Sequence, residues 1–131
     1  MVTRILIVDD HPVVRRGLRH LLATQQEWEV IDEAADGLEG VEKAQYLNPD
    51  IILLDISMPK MSGLDACRLI RARAPESEIL ILTQHDSPQM LREALNAGAR
   101  GYVVKSKADS DLLQAVKALT EHKPFIALSS P

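Results

Sequence analysis

Short unbroken apolar runs alternate along this chain with longer stretches whose apolar positions recur every three or four residues. The runs are Ile5-Leu6-Ile7-Val8, Ile51-Ile52-Leu53-Leu54, Ile79-Leu80-Ile81-Leu82 and the shorter Tyr102-Val103-Val104, with a weaker one over residues 28–34 around Val30 and Ile31. Runs of this length, bounded by turn residues, predict strands buried on both faces. Between them lie Val14, Gly17, Leu18, Leu21 and Leu22; then Leu38, Val41, Ala44 and Leu47; then Leu64, Cys67, Ile70 and Ala74, all at helical spacing. Leu91, Ala94 and Leu95 mark a shorter helix, and Leu112, Leu113, Val116 and Leu119 a last one. Asn48-Pro49 and Ala74-Pro75 end the second and third helices. Ser62 can cap the third, Asp86 or Ser87 with Pro88 starts the fourth, and Ala97-Gly98 stops it.

Five strands alternating with five helices through short connections predict a doubly wound α/β fold, a parallel sheet covered on both faces by right-handed crossovers. Strand order does not follow from periodicity, and the flavodoxin-like order 2-1-3-4-5 is the expectation for five such units. These units occupy residues 1–121. Residues 122–131 show no sixth unit and end in small residues, so they read as the start of a linker.

Composition narrows the class. The chain has 131 residues, the size of one compact domain. Lys and Arg number 15 against 19 Asp and Glu, a net charge of −4 that argues against this segment gripping nucleic acid by itself. The single cysteine, Cys67, has no internal disulfide partner and on its helix face reads as a small buried hydrophobe. Met1-Val2-Thr3-Arg4 is followed by only four apolar residues before Asp9-Asp10, too few for a signal peptide, and no apolar run reaches membrane length. A soluble, cytoplasmic protein without membrane contact is expected.

Candidate chemistry follows from the fold, because a parallel sheet gathers the carboxyl ends of its strands at one edge, where such folds bind ligands. Asp9, Asp10, Asp55, Thr83 and Lys105 are the polar residues that interrupt or end the apolar runs, so they are expected to converge. Carboxylates crowded together repel, and oxygen-only ligands favour Mg²⁺ over zinc. Asp55, at the end of the central run, could attack a phosphoryl group as a carboxylate nucleophile and form an acyl phosphate. Asp10 with Asp9 would hold Mg²⁺, the backbone carbonyl of Ser57 could complete the protein ligands, Thr83 could donate its hydroxyl to a phosphate oxygen, and Lys105 could pair with it as a point charge. His11, His20, His85 and His122 share no metal-ligand spacing and receive no metal role.

With these residues in place, the chain resembles the receiver domain of bacterial two-component response regulators. Four segments carry the resemblance in order and spacing: residues 5–11, residues 49–59, Met61-Ser62-Gly63-Leu64, and Gly101-Tyr102-Val103-Val104-Lys105. The resemblance implies Asp55 as phosphoacceptor, Asp9 and Asp10 as the acidic pair, Thr83 as the switch hydroxyl, Tyr102 as the switch aromatic and Lys105 as the phosphate-contacting lysine. It implies a signalling domain rather than an enzyme: a sensor histidine kinase as phosphoryl donor, and an output carried by altered association around residues 87–120, as a phosphorylation-dependent homodimer or release of an attached effector. Asp10-His11-Pro12, Glu33-Ala34-Ala35-Asp36-Gly37 and the Leu128-Ser129 tail resemble the NarL/FixJ branch, whose members usually carry a C-terminal helix-turn-helix. That domain is not present here, so DNA would be reached only through it; the tail favours a chain cut in a linker over a stand-alone receiver. Ser106 departs from the proline that many receivers carry after the lysine, leaving open whether the Lys105-Ser106 bond is cis.

Plainer readings compete residue by residue. Asp10 could be only a helix N-cap, Thr83 a β-branched strand residue, Lys105 a surface charge and Tyr102 a core side chain. Arg15, Arg16 and Arg19 read by default as a solvated helix face, with kinase docking as the role the resemblance offers. At the level of function the alternatives are a phosphorylation-independent interaction domain and a haloacid-dehalogenase-like phosphatase. The phosphatase pattern Asp-x-Asp is absent, since residues 9–11 are Asp-Asp-His. A dinucleotide module is disfavoured because no Gly-x-Gly-x-x-Gly follows the first strand.

Overall fold

The computed structural model describes residues 2–128. Strands β1 (Thr3–Val8), β2 (Trp28–Ala34), β3 (Ile51–Leu54), β4 (Glu78–Thr83) and β5 (Gly101–Val104) alternate with helices α1 (Pro12–Leu22), α2 (Gly37–Leu47), α3 (Gly63–Arg73), α4 (Pro88–Asn96) and α5 (Ala108–Thr120). A sixth strand, β6 (Phe125–Ala127), follows. All neighbours pair in parallel in the order β2-β1-β3-β4-β5-β6. The expected order of the first five strands therefore holds, while the expectation of a five-stranded sheet is corrected to six. Ser129 of the quoted tail lies outside the described residues.

The sixth strand was not legible because three residues between a proline and small residues carry no period. It forms because α5 returns the chain to the amino end of β5: His122 adopts a left-handed turn (φ 60°), and the Phe125 N–H then donates to the Arg100 carbonyl at 3.1 Å. Gly101 pairs with Phe125, Tyr102 with Ile126 and Val103 with Ala127, covering an edge of β5 that would otherwise expose unpaired backbone groups. Phe125 packs on the α5 side of the sheet.

Alternation along the inner strands divides the core in two, since successive side chains point to opposite faces. Ile5, Ile7, Ile51, Leu53, Leu80, Leu82 and Val103 meet α1 and α5 through Leu18, Leu22, Leu112, Val116 and Leu119. Leu6, Val8, Ile52, Leu54, Ile79, Ile81 and Tyr102 face the other way, against Val41, Ala44, Ala66, Cys67, Ile70 and Ala94. Burying each such Leu or Ile contributes about 1.5–3 kcal/mol, so the central strands anchor whatever sits at their tips.

Local chemistry sets the helix ends. Asp36 caps α2 by accepting from the Glu39 N–H at 2.8 Å, while the Glu39 carboxylate accepts from the Ala35 N–H. Ser62 caps α3 and Ser87, rather than Asp86, caps α4. Asn48 ends α2 in the left-handed conformation ahead of Pro49. Helix α1 starts at His11 without any side-chain cap, so Asp10 does not spend its carboxylate on that role. No cis peptide bond occurs among the described residues, and the Lys105–Ser106 bond is trans.

Candidate functional site

The end of each inner strand delivers one polar residue to the same edge of the sheet. Val8 pairs with Leu54, which places Asp9 and Asp55 one residue beyond two adjacent strand ends. The Asp9 N–H donates to the Ala34 carbonyl at 3.0 Å and the Asp55 N–H to the Val8 carbonyl at 3.0 Å, so both backbones continue the ladder. Their side chains are then fixed in direction by the sheet and not by a loop. Lys105 follows β5 at the head of a 3-10 turn (Lys105–Lys107) and extends its ammonium into the cleft. Its Nζ lies 2.9 Å from Asp9 Oδ2 and 3.4 Å from Asp55 Oδ2.

Charge in this cleft is poorly balanced. Asp9 is 2% exposed and Asp55 4%, with Asp10 beside them partly buried. Burial is the main cause holding the Asp55 carboxyl above the usual carboxylate range. The Asp9 charge pushes it further in the same direction, while Lys105 and the Ser57 N–H pull against it. Asp9 Oδ2 and Asp10 Oδ1 are buried oxygens without a hydrogen bond: Lys105 is near the first, and the His11 ring 3.0 Å from the second, but neither is in line to donate. Three carboxylates thus face one lysine, with two of their oxygens buried and without a hydrogen bond, a balance that a bound cation would improve. Donor atoms from Asp9, Asp10, His11 and Asp55 all lie within 4.8 Å of one another, close enough to share a divalent ion. The oxygen-rich donor set fits a hard cation.

Of the residues singled out from sequence, Asp9, Asp10, Asp55 and Lys105 come together. Ser57 is exposed, and its N–H faces the Asp55 carboxylate. Thr83 and Tyr102 reach the same edge but engage the β4–α4 loop. The Thr83 hydroxyl oxygen accepts from the His85 N–H at 3.2 Å, and the Tyr102 hydroxyl donates to the His85 carbonyl at 2.5 Å. Tyr102 is wholly buried, and burial, followed by the nearby Asp86 charge, raises its phenol to about 12. It is thus both a core residue and the anchor of a loop next to the cleft.

Three residues contribute in ways the sequence did not assign, although His11 and Gly63 lie in segments that carry the resemblance. His11 has its Nδ1 3.1 Å from Asp9 Oδ1 and 3.0 Å from Asp10 Oδ1, a placement that ligand spacing along the sequence does not encode. Gly63 presses α3 against the turn after β3: its N–H donates to the Ile56 carbonyl at 2.7 Å, and any Cβ there would collide with the Asp55 carbonyl oxygen and the Ile56 Cα. Arg15, expected on a solvated face, instead turns inward to the Asp9 carbonyl.

Comparison with known proteins agrees with this arrangement. The family model for the response regulator receiver domain matches residues 5–117. Oxygen regulatory protein NreC of Staphylococcus carnosus is 40% identical over 124 residues, covering 94% of this chain and 57% of NreC. A LuxR-family two-component response regulator from an Aurantimonas species superposes with a TM-score of 0.91 at 37% identity, covering 95% of this chain and 89% of that one. The isolated receiver domain of RcsB from Salmonella enterica serovar Typhimurium, solved with the phosphomimetic BeF3−, superposes with a TM-score of 0.89 at 28% identity, covering 97% and 94% of the two chains. The chain spans about half the length of the curated relatives it matches, 52% of one and 57% of another.

Proposed function

The chain belongs to the response regulator receiver family, of the NarL/LuxR type, a signalling rather than catalytic family, and from that premise we propose that it is a switch driven by phosphorylation of Asp55. The observation that carries the proposal is the buried Asp55 carboxylate beside Lys105, in a cleft with two orphaned carboxylate oxygens. An Asp55 oxygen attacks the phosphorus of a phosphohistidine on a sensor kinase; the P–O bond forms as the P–N bond breaks, and its electron pair returns to the leaving imidazole. The acyl phosphate retains the acceptor oxygens of the phosphoryl group.

Mg²⁺, when bound by Asp10, Asp55 and the Ser57 carbonyl, with Asp9 alongside, supplies positive charge against the phosphoryl oxygens. The chain's own groups do the rest. Lys105 sits where a phosphoryl oxygen on Asp55 needs a cation. The Thr83 oxygen accepts from His85, so its hydrogen is available for donation to that phosphoryl group. Reorienting Thr83 disturbs the His85 N–H bond, and His85 also holds Tyr102 through its carbonyl. That path links the cleft to α4 and β5, and we place the altered association surface there, over residues 87–120. Homodimerisation on phosphorylation and control of a linked DNA-binding output belong to the same proposal, as does a cytoplasmic location. No helix among the described residues is long and apolar enough to cross a membrane.

Intact mass after incubation with Mg²⁺ and acetyl phosphate tests the reading. The parent should gain one phosphoryl group, labile to hydroxylamine, and Asp55→Asn should gain none. If the parent gains no mass from acetyl phosphate or a cognate kinase while Mg²⁺ binds, the domain is a phosphorylation-independent interaction module.

A further inference from the structure

Of the three arginines on α1, only Arg15 is drawn inward. Its side chain is 17% exposed, whereas Arg16 and Arg19 are exposed. Its Nη1 donates to the Asp9 carbonyl at 2.5 Å and its Nε donates to Glu33 Oε1 at 2.7 Å. Glu33 is itself held twice more: Arg19 takes its other carboxylate oxygen and Lys43 of α2 donates to its carbonyl at 2.6 Å, while its neighbour Ala34 accepts the Asp9 N–H. Although burial alone would raise the Glu33 carboxyl pKa, hydrogen bonds from Arg19 and Arg15 hold it below the usual range.

These contacts act on one peptide unit. The Asp9 carbonyl belongs to the plane that joins Asp9 to Asp10, and a peptide is planar, so fixing that oxygen fixes the direction in which the chain leaves toward Asp10. The Asp9 N–H is already committed to Ala34, and the Asp9 carboxylate accepts from the His11 N–H at 2.8 Å. With α1 lacking a side-chain cap, the Arg15 guanidinium adds a second tie, beside the His11 N–H, between the start of that helix and the end of β1. Without it the Asp9 carbonyl loses that donor, and the peptide that aims the Asp10 side chain is held less firmly, through the Asp9 N–H and the His11 N–H contacts that remain. Arg19 reaches the same glutamate but not the Asp9 carbonyl, which separates a general ion pair from a directed one.

We propose that Arg15, buttressed by Glu33, is a positioning residue for the acidic pair: by holding the Asp9–Asp10 peptide it sets the divalent-cation affinity of the cleft. This rests on the metal-binding part of the reading above. Outer groups that orient ligating residues typically change metal affinity 10–100-fold when removed, and Arg15 acts at one bond's distance from the Asp10 residue.

Calorimetric titration with Mg²⁺ alone tests it in the whole chain, using the parent, Arg15→Gln, Arg15→Lys, Glu33→Gln and Arg19→Gln, each also melted in EDTA. Arg15→Gln should weaken Mg²⁺ binding about tenfold or more, Glu33→Gln by a smaller factor, and Arg15→Lys should recover part of the loss. Arg19→Gln should stay within about twofold of the parent even if it lowers the melting temperature as much as Arg15→Gln does. Equal Mg²⁺ affinity in the parent and folded Arg15→Gln overturns the proposal, as does an equal loss in Arg15→Gln and Arg19→Gln. If Arg15→Gln fails to fold, Glu33→Gln against Arg19→Gln gives the same comparison. Absence of Mg²⁺ binding by the parent refutes instead the metal reading on which the proposal stands.

Discussion

Asparagine at position 55 should make the metal-free protein more stable at neutral pH. The Asp55 carboxyl is almost fully buried, its pKa is raised chiefly by that burial and next opposed by Lys105, 3.4 Å away. Two unit charges at that distance attract by about 5 kcal/mol at an effective dielectric of 20. Withdrawing a carboxylate from water costs several kcal/mol, and the Asp9 charge adds to that cost. The upward shift shows that the unfavourable terms win, and a difference between opposing terms of this size leaves on the order of 1 kcal/mol for the neutral isostere to recover. For 131 residues, an unfolding entropy of about 2.1 cal/mol/K per residue gives about 0.28 kcal/mol/K, so the melting temperature should rise by about 3–4 °C. The sign with pH is fixed. A carboxyl whose pKa is raised on folding favours the fold below its unfolded value near 3.8 and loses that contribution as pH rises through the folded value. The advantage of Asn should therefore be full above the folded value and shrink as pH falls through it toward 3.8. Thermal melts by circular dichroism in EDTA, at several pH values, measure it. A melting temperature unchanged or lowered at about pH 7.5, or a gain that persists undiminished in acid, refutes the reasoning.

Other expectations follow from the packing. Gly63→Ala forces a Cβ into the Asp55 carbonyl and Ile56, so it should cost about 1–3 kcal/mol in chemical denaturation and slow acetyl-phosphate labelling; unchanged labelling would show that the turn after β3 is not held by α3. Phe125→Ala removes a half-buried ring from the α5 side of the core and should cost about 1–2 kcal/mol in the same denaturation assay, whereas no loss would mean that β6 is not part of the folded domain. Burial raises the Cys67 thiol to about 11, so a disulfide reagent near neutral pH should label it only as fast as the protein opens; rapid stoichiometric labelling of the native protein would contradict its placement.

The sequence by itself determined the alternation of strand and helix, the double burial of β3 and β4, and the identity of the carboxylates and the lysine at the strand tips. Those features depend on local period and on a general property of parallel sheets, so Asp9, Asp10, Asp55 and Lys105 could be named before any coordinates. Only the tertiary structure decided what depends on direction and register between distant residues. Periodicity placed Arg15 on an outward face, but a long flexible side chain near a helix start can bend back, and the Asp9 carbonyl with Glu33 gave it somewhere to go. Phe125–Ala127 is too short to carry a period, and its pairing exists because α5 returns the chain beside an unpaired edge of β5. Thr83 and Tyr102 were identified by type, yet their shared attachment to His85 arises from backbone groups, which every residue possesses and no side-chain pattern announces.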